Sequence, residues 1–108
     1  MSDVPQIDIP GLEQRLGEGA LLVDVREDDE YVEAHVPGAL HVPLATVPER
    51  LGELPDDAPF FVVCAVGGRS ARAVEFLRAR GLDATNVAGG TNAWVDSGRP
   101  VTTGTEPS

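Results

Sequence analysis

The chain has 108 residues and a formal net charge of −10, with 18 acidic and 8 basic side chains. This length suits one domain with its own core, and we expect a single domain over residues 1–108. The acidity argues against nucleic acid and anionic membranes as partners, because phosphate contacts require a basic surface. A single cysteine excludes an internal disulfide, and two histidines argue against a structural metal site.

The termini and the cysteine count also bear on location. The first residues have neither the basic region nor the apolar core of a secretory signal, and no apolar run is long enough to cross a bilayer. A lone cysteine is simplest to keep in a reducing compartment. We therefore expect a cytoplasmic protein.

The first predicted elements are a short extended segment over residues 6–9, a capped helix and a buried strand. Asp8 is placed to cap a helix over residues 9–16. The apolar run 20–25 is typical of a strand buried on both faces. Asp24 interrupts that strand, and a buried carboxylate needs hydrogen-bond donors. We favour a structural role in which loop N–H groups bind Asp24; a role at the mouth of a site is the alternative.

An acidic stretch over residues 26–35 follows. It predicts one short helical turn, across which Arg26 and Glu30 are spaced to form an ion pair. Tyr31 on the same turn is expected to pack against the core with its hydroxyl in water.

The middle of the chain predicts a short strand over residues 39–42 and then a helix. Thr46 and Glu49 have the spacing of a capping box, which predicts a helix from Thr46 to about Leu54. The apolar run 60–63 then predicts another buried strand.

The remaining segments again alternate. A helix is predicted over residues 71–80, a strand over 83–87, and a last helix opened by Gly89-Gly90 that carries Trp94 into the core. Residues 102–108 are small and polar, so we expect an ordered core over about 6–100 and a mobile tail. The order of elements predicts a three-layer α/β domain with a mainly parallel sheet of about five strands flanked by helices.

The loop from Cys64 to Ser70 carries the clearest chemistry. It joins a buried strand to a helix, where parallel α/β folds bind their ligands. Adjacent glycines let successive N–H groups point into one concavity that favours an anion. Arg69 adds the only charge in the loop, and Ser70 could cap the following helix. A lone cysteine is more often a buried hydrophobe, but this position favours a reactive thiol.

Four motifs resemble those of the single-domain rhodanese (sulfurtransferase) family. The loop has a Cys, four residues that include glycine, and then an Arg that opens a helix. The other three are the strand end Asp24-Val25-Arg26, the stretch from Glu30-Tyr31 to His35-Val36-Pro37-Gly38, and the segment Gly89-Gly90-Thr91-Asn92-Ala93-Trp94. The motifs follow the family's order, and the resemblance covers about residues 6–100.

The resemblance implies sulfur transfer through a persulfide on Cys64. A donor such as thiosulfate or a persulfide would load the cysteine, and a thiol, cyanide or a protein would take the sulfur. Asp24 and Arg26 are candidates for supporting residues at the mouth of the site, although a scaffold role is favoured for both. The implied sulfur transfer needs no metal and no organic cofactor. The resemblance assigns substrate binding to the other residues of the loop, which are Ala65, Val66, Gly67, Gly68, Arg69 and Ser70.

Two other functions are compatible with the sequence. Related cysteine phosphatases and arsenate reductases have one more residue between Cys and Arg, so the four residues here favour a sulfur atom over a tetrahedral oxyanion. A non-catalytic interaction module is the second alternative.

Many family members have a basic or polar residue after the cysteine, whereas Ala65 and Val66 are apolar, which predicts weak binding of thiosulfate.

Overall fold

A computed structural model describes residues 4–108, and the strands in this range form one five-stranded sheet. The strand order is β1-β5-β4-β2-β3, and every neighbouring pair runs parallel. This confirms the predicted parallel α/β architecture. The strands are β1 Gln6–Ile7, β2 Leu22–Asp24, β3 Leu40–His41, β4 Phe60–Val63 and β5 Ala84–Val87.

Within residues 4–108, three α-helices and two short 3₁₀ helices connect the strands, and a fourth α-helix follows the last strand. Asp8 caps the first helix as predicted, accepting a hydrogen bond from Gly11 N at 2.8 Å. No helix within residues 4–108 is long and apolar enough to span a membrane. The α-helices are α1 Ile9–Gly17, α2 Asp28–Glu33, α3 Gly68–Ala79 and α4 Gly90–Asp96, and the 3₁₀ helices are Leu44–Glu49 and Leu51–Glu53.

The central strand β4 separates two apolar clusters. Phe60 and Val62 pack with residues of α3 and the first 3₁₀ helix, whereas Phe61 and Val63 pack with residues of α1, α2 and α4. The alternation follows from the period of two along a strand. Both faces are therefore covered, which confirms the three layers.

The capping box predicted at Thr46 is wrong. Thr46 already lies inside the 3₁₀ helix, and its hydroxyl donates to the carbonyl of Pro43 at 2.8 Å instead of capping an α-helix. The segment also contains Pro48, which lacks an N–H group and so favours short irregular turns over a continuous helix. Leu54 is buried nonetheless.

Tyr31 lies deeper than predicted. It is 1% exposed, and its hydroxyl donates to the carbonyl of Ala39 at 2.5 Å, so the expected contact with water is wrong. Its ring stacks between His35 and His41, with centroid distances of 3.7 and 4.3 Å. The two histidines thus form part of a packed aromatic column.

The end of the chain contacts the turn that follows α2. His35 and Thr102 form an isolated antiparallel bridge, and Gly38 N donates to the carbonyl of Pro107 at 2.8 Å. The Nε2 atom of His35 lies 2.9 Å from the carbonyl of Glu106. These hydrogen bonds give the tail a defined place on the domain that its composition does not predict.

Candidate functional site

Cys64 follows the last residue of the central strand β4 and lies before α3. The carboxyl ends of β2 and β5 flank it, because both strands pair with β4 in parallel. The residue is 1% exposed. The strand end predicted from sequence is therefore a buried position at the edge where this class of fold binds ligands.

Donors surround the sulfur. The backbone N–H of Gly67 lies 3.1 Å from Cys64 Sγ, and the hydroxyl oxygen of Ser70 lies 3.2 Å from it. Burial raises the pKa of the thiol, but hydrogen bonds from the Ser70 hydroxyl and from the backbone N–H groups of Ser70, Gly67 and Val66 outweigh it, so that the net pKa is lowered. The arrangement favours an anionic sulfur.

The loop is oriented from α4. The N–H groups of Thr91 and Asn92 donate to the carbonyls of Cys64 and Ala65 at 2.8 and 3.0 Å. A peptide N–H points away from the carbonyl of the same plane. Holding the Ala65 carbonyl toward α4 therefore turns the N–H of Val66 toward the sulfur.

Gly90 permits this close approach. A Cβ atom there would lie 2.4 Å from the Ala65 carbonyl oxygen and 2.5 Å from that of Cys64, and its φ is +65°. No larger residue fits without displacing the loop. The second glycine of the C-terminal motif is thus a packing requirement of the cysteine loop.

Ser70 does not cap α3, which corrects the prediction. The N-cap is Gly67, and no side chain caps this helix. The Ser70 hydroxyl instead lies between Cys64 Sγ and Asn86 Oδ1, at 3.2 and 2.5 Å. Sequence analysis did not single out Asn86, although a polar residue inside a buried strand is the same signal that identified Asp24.

Arg69 forms an ion pair with Glu30. Its two terminal nitrogens donate to the two carboxylate oxygens at 2.7 and 2.9 Å. The hydrogen bond from Arg69 is the main cause that lowers the pKa of Glu30 to about 2, and the same contact raises the pKa of Arg69. The only charge in the loop is therefore balanced, and the predicted pair between Arg26 and Glu30 is wrong.

Arg26 pairs with Asp24 instead. Both side chains are buried, and Asp24 accepts from the backbone N–H of Arg26 at 3.0 Å and from its Nη2 at 2.9 Å. Nη2 also donates to the carbonyl of Ala34 at 2.7 Å. The pair joins the end of β2 to the end of α2, and the contacts satisfy both charges as burial requires.

An acidic cavity of about 470 Å³ opens between α2 and α4, next to Ala65. Arg26 is its only basic lining residue, and that side chain is already paired with Asp24. Beside the cavity, Val66 at the tip of the loop is 66% exposed. The cavity next to Ala65 is therefore mainly negative, whereas the exposed residue that follows Ala65 in the loop is apolar. The acidic lining residues are Asp29, Glu30, Glu33 and Asp96.

Comparison with known proteins places the chain in a family. Residues 9–97 match the model of the rhodanese-like domain, and the chain belongs to that family. It is 37% identical over 101 residues to a sulfurtransferase of Allochromatium vinosum, covering 91% of this chain and 94% of the relative. It is also 36% identical over 84 residues to the thiosulfate sulfurtransferase GlpE of Pseudomonas putida, covering 77% and 76% of the two chains.

The fold is likewise similar to that of a solved rhodanese-like structure. The crystal structure of a rhodanese-like domain protein from Staphylococcus aureus superposes with a TM-score of 0.84 at 37% identity, covering 94% of this chain and 99% of that one. The family predicted from the four motifs is therefore confirmed.

Proposed function

We propose that this protein is a sulfurtransferase that carries a sulfane sulfur on Cys64. The thiolate attacks the outer sulfur of a donor, a new S–S bond forms, and the donor's own bond to that sulfur breaks. The leaving group, sulfite if the donor is thiosulfate, departs with the electron pair. An acceptor thiol, cyanide or protein nucleophile then attacks the outer sulfur and releases the Cys64 thiolate.

One observation carries this proposal: hydrogen-bond donors converge on a buried sulfur atom at the end of the central strand. Gly67 N and Ser70 Oγ lie 3.1 and 3.2 Å from it. The same donors that favour a thiolate also suit a persulfide, because both carry negative charge on sulfur. The names of the matched relatives as sulfurtransferases support the same chemistry.

We infer further that thiosulfate is a poor donor here. Arg69 is paired with Glu30, and the neighbouring cavity is lined by four carboxylates, so a small dianion gains little from the site. Exposed Val66 instead offers an apolar contact. A persulfide on an apolar thiol or on a protein fits better, whereas a thiosulfate KM in the low micromolar range would contradict this preference.

Mass spectrometry of the intact protein tests the main proposal. After treatment with thiosulfate or a low-molecular-weight persulfide, the protein should gain the mass of one sulfur atom, and cyanide should remove it. The Cys64→Ser variant is the control and should gain nothing. Failure of every donor to label Cys64 would support a non-catalytic interaction module.

The phosphatase alternative is tested with the same preparation. The loop has four residues between Cys64 and Arg69. Arg69 is also engaged with Glu30 and so is not free to bind a phosphate. We expect no hydrolysis of an aryl phosphate, and hydrolysis that is lost in Cys64→Ser would overturn the assignment as a sulfurtransferase.

A further inference from the structure

The hydroxyl of Ser70 has one proton and two acceptors within reach. Its oxygen lies 3.2 Å from Cys64 Sγ and 2.5 Å from Asn86 Oδ1. A hydroxyl group donates a single hydrogen bond. Ser70 therefore cannot donate to the sulfur and to Asn86 at the same time.

The amide of Asn86 has a fixed orientation. Its Nδ2 lies 3.1 Å from the carbonyl oxygen of Gly67, which can only accept a hydrogen bond, and 3.0 Å from Gln6 Oε1. The nitrogen must face these acceptors, so Oδ1 faces Ser70. Because Oδ1 is itself only an acceptor, the short contact between the two side chains uses the Ser70 proton.

We infer that Asn86 is a positioning residue that holds the Ser70 proton away from Cys64 until the sulfur becomes an anion. While Cys64 is a thiol, its S–H donates to Ser70 Oγ and the hydroxyl donates to Asn86. When the thiol loses its proton, the hydroxyl turns and donates to the sulfur, and Asn86 Oδ1 loses its partner. Each state keeps the same number of protons on Ser70 and Asn86.

Burial makes this exchange matter. Ser70, Asn86 and Cys64 are 0%, 2% and 1% exposed, so water does not readily replace the bond that Asn86 loses. The competition makes the thiolate less favourable than Ser70 alone would make it.

The charged groups at this end of the sheet come from elements other than β5, and the two arginines among them are paired. Arg69 of α3 contacts Glu30 of α2, and Arg26 contacts Asp24 of β2. The carboxylates of Asp29, Glu33 and Asp96 line the cavity beside Ala65. Strand β5 contributes no charged side chain. A change at Asn86 therefore alters the hydrogen bonding around Cys64 without altering a local charge.

The test is a double-variant cycle read by the ultraviolet absorbance of the thiolate as a function of pH. Asn86→Leu removes the competing acceptor with an apolar side chain of similar size. In this variant the Gly67 carbonyl still accepts a hydrogen bond from Ala71 N at 3.2 Å, so the loop keeps a backbone contact at this position. Thr85→Val, a substitution on the same strand, is the matched control.

In Asn86→Leu we expect the thiolate fraction, measured at a pH below the midpoint of the Cys64 titration, to rise about fivefold. This change corresponds to the free energy of one hydrogen bond. Ser70→Ala should lower that fraction, and adding Asn86→Leu to Ser70→Ala should change nothing further. An unchanged or smaller thiolate fraction in Asn86→Leu would overturn the inference. So would an equal rise in the Ser70→Ala background.

A second measurement uses the unaltered protein. The NMR shift of the Asn86 carboxamide carbon should move with the midpoint of Cys64, and this movement should be lost in Ser70→Ala. A shift that does not change with pH would contradict the inference even if Asn86→Leu failed to fold. The inference rests on the proposed nucleophile, but neither readout requires sulfur transfer, so a failure of the proposed function is seen separately in the persulfide assay.

Discussion

Arg69 and Glu30 are 39 positions apart in the chain and share two parallel hydrogen bonds. The contact ties the helix that follows the cysteine loop to the short acidic helix α2. It also balances the positive charge that the sequence places nearest the cysteine.

Glu30→Gln should improve the use of thiosulfate. The substitution frees the charge of Arg69 and removes one negative charge from the cavity, so KM for thiosulfate should fall about three- to tenfold at low ionic strength. Steady-state assays with cyanide as acceptor measure this. Glu33→Gln removes a carboxylate from the same cavity without touching Arg69 and is the control. An equal fall in both variants would mean that Arg69 has no specific part in donor binding.

The same variant should change how stability depends on pH. Arg69 lowers the pKa of Glu30 from 4.5 to about 2 in the folded state. A carboxyl group whose pKa is lower in the folded state stabilises the fold at pH values above its pKa in the unfolded state. This stabilisation is lost as the pH falls through the pKa in the folded state. The free energy of unfolding of the wild type should exceed that of Glu30→Gln above about pH 4.5, and the difference should shrink toward pH 2. Urea titrations across this range measure it; a difference independent of pH would contradict the role of the ion pair.

Gly90→Ala should disturb both stability and the cysteine. The added Cβ would lie 2.4 Å from the Ala65 carbonyl oxygen, in addition to the cost of a positive φ. Gly98→Ala is the matched control, because Gly98 has a φ of +81° and open space around it. The free energy of unfolding of the control should fall by about 1–2 kcal/mol. In chemical denaturation, Gly90→Ala should lower the free energy of unfolding by more than the control does, and it should also slow alkylation of Cys64. Equal losses of unfolding free energy in the two variants would show that the close approach is unimportant.

Asp24→Ala should be strongly destabilising. It leaves the Arg26 guanidinium buried at 6% exposure without its carboxylate, and breaking a buried pair on one side costs about 3–5 kcal/mol. The surface pair of Arg15 and Glu18 provides the control, since Glu18→Ala should cost less than about 1 kcal/mol. Thermal and urea unfolding compare the two. A small loss in Asp24→Ala would mean that Arg26 reaches solvent when its partner is removed.

The order of elements could be predicted because the strands are short apolar runs with clear breaks between them. The run 60–63 and the Gly-rich loop after it identify both the central strand and the position of Cys64. Helix α1 was equally clear, because Asp8 is a good capping residue at the right place. These signals are local in sequence.

The partners of the charged and polar side chains could not be predicted in the same way. Arg26 lies four residues before Glu30, which suggests a helical ion pair, but each pairs elsewhere because Asp24 is buried beside Arg26 and Arg69 approaches Glu30 from another helix. The hydroxyl of Ser70 likewise finds Asn86 only after β5 pairs with β4. Such contacts depend on tertiary packing, which local spacing does not encode.

The hydrogen bonds that hold the backbone carbonyls of the cysteine loop come from residues later in the chain. Asn86, Thr91 and Asn92 hold the carbonyls of Gly67, Cys64 and Ala65. Synthesis proceeds from the N-terminus, so on the ribosome the cysteine emerges before the residues that orient its loop. The donor groups around the sulfur can therefore be assembled only when α4 has been made and has docked. An unfinished chain presents an ordinary thiol.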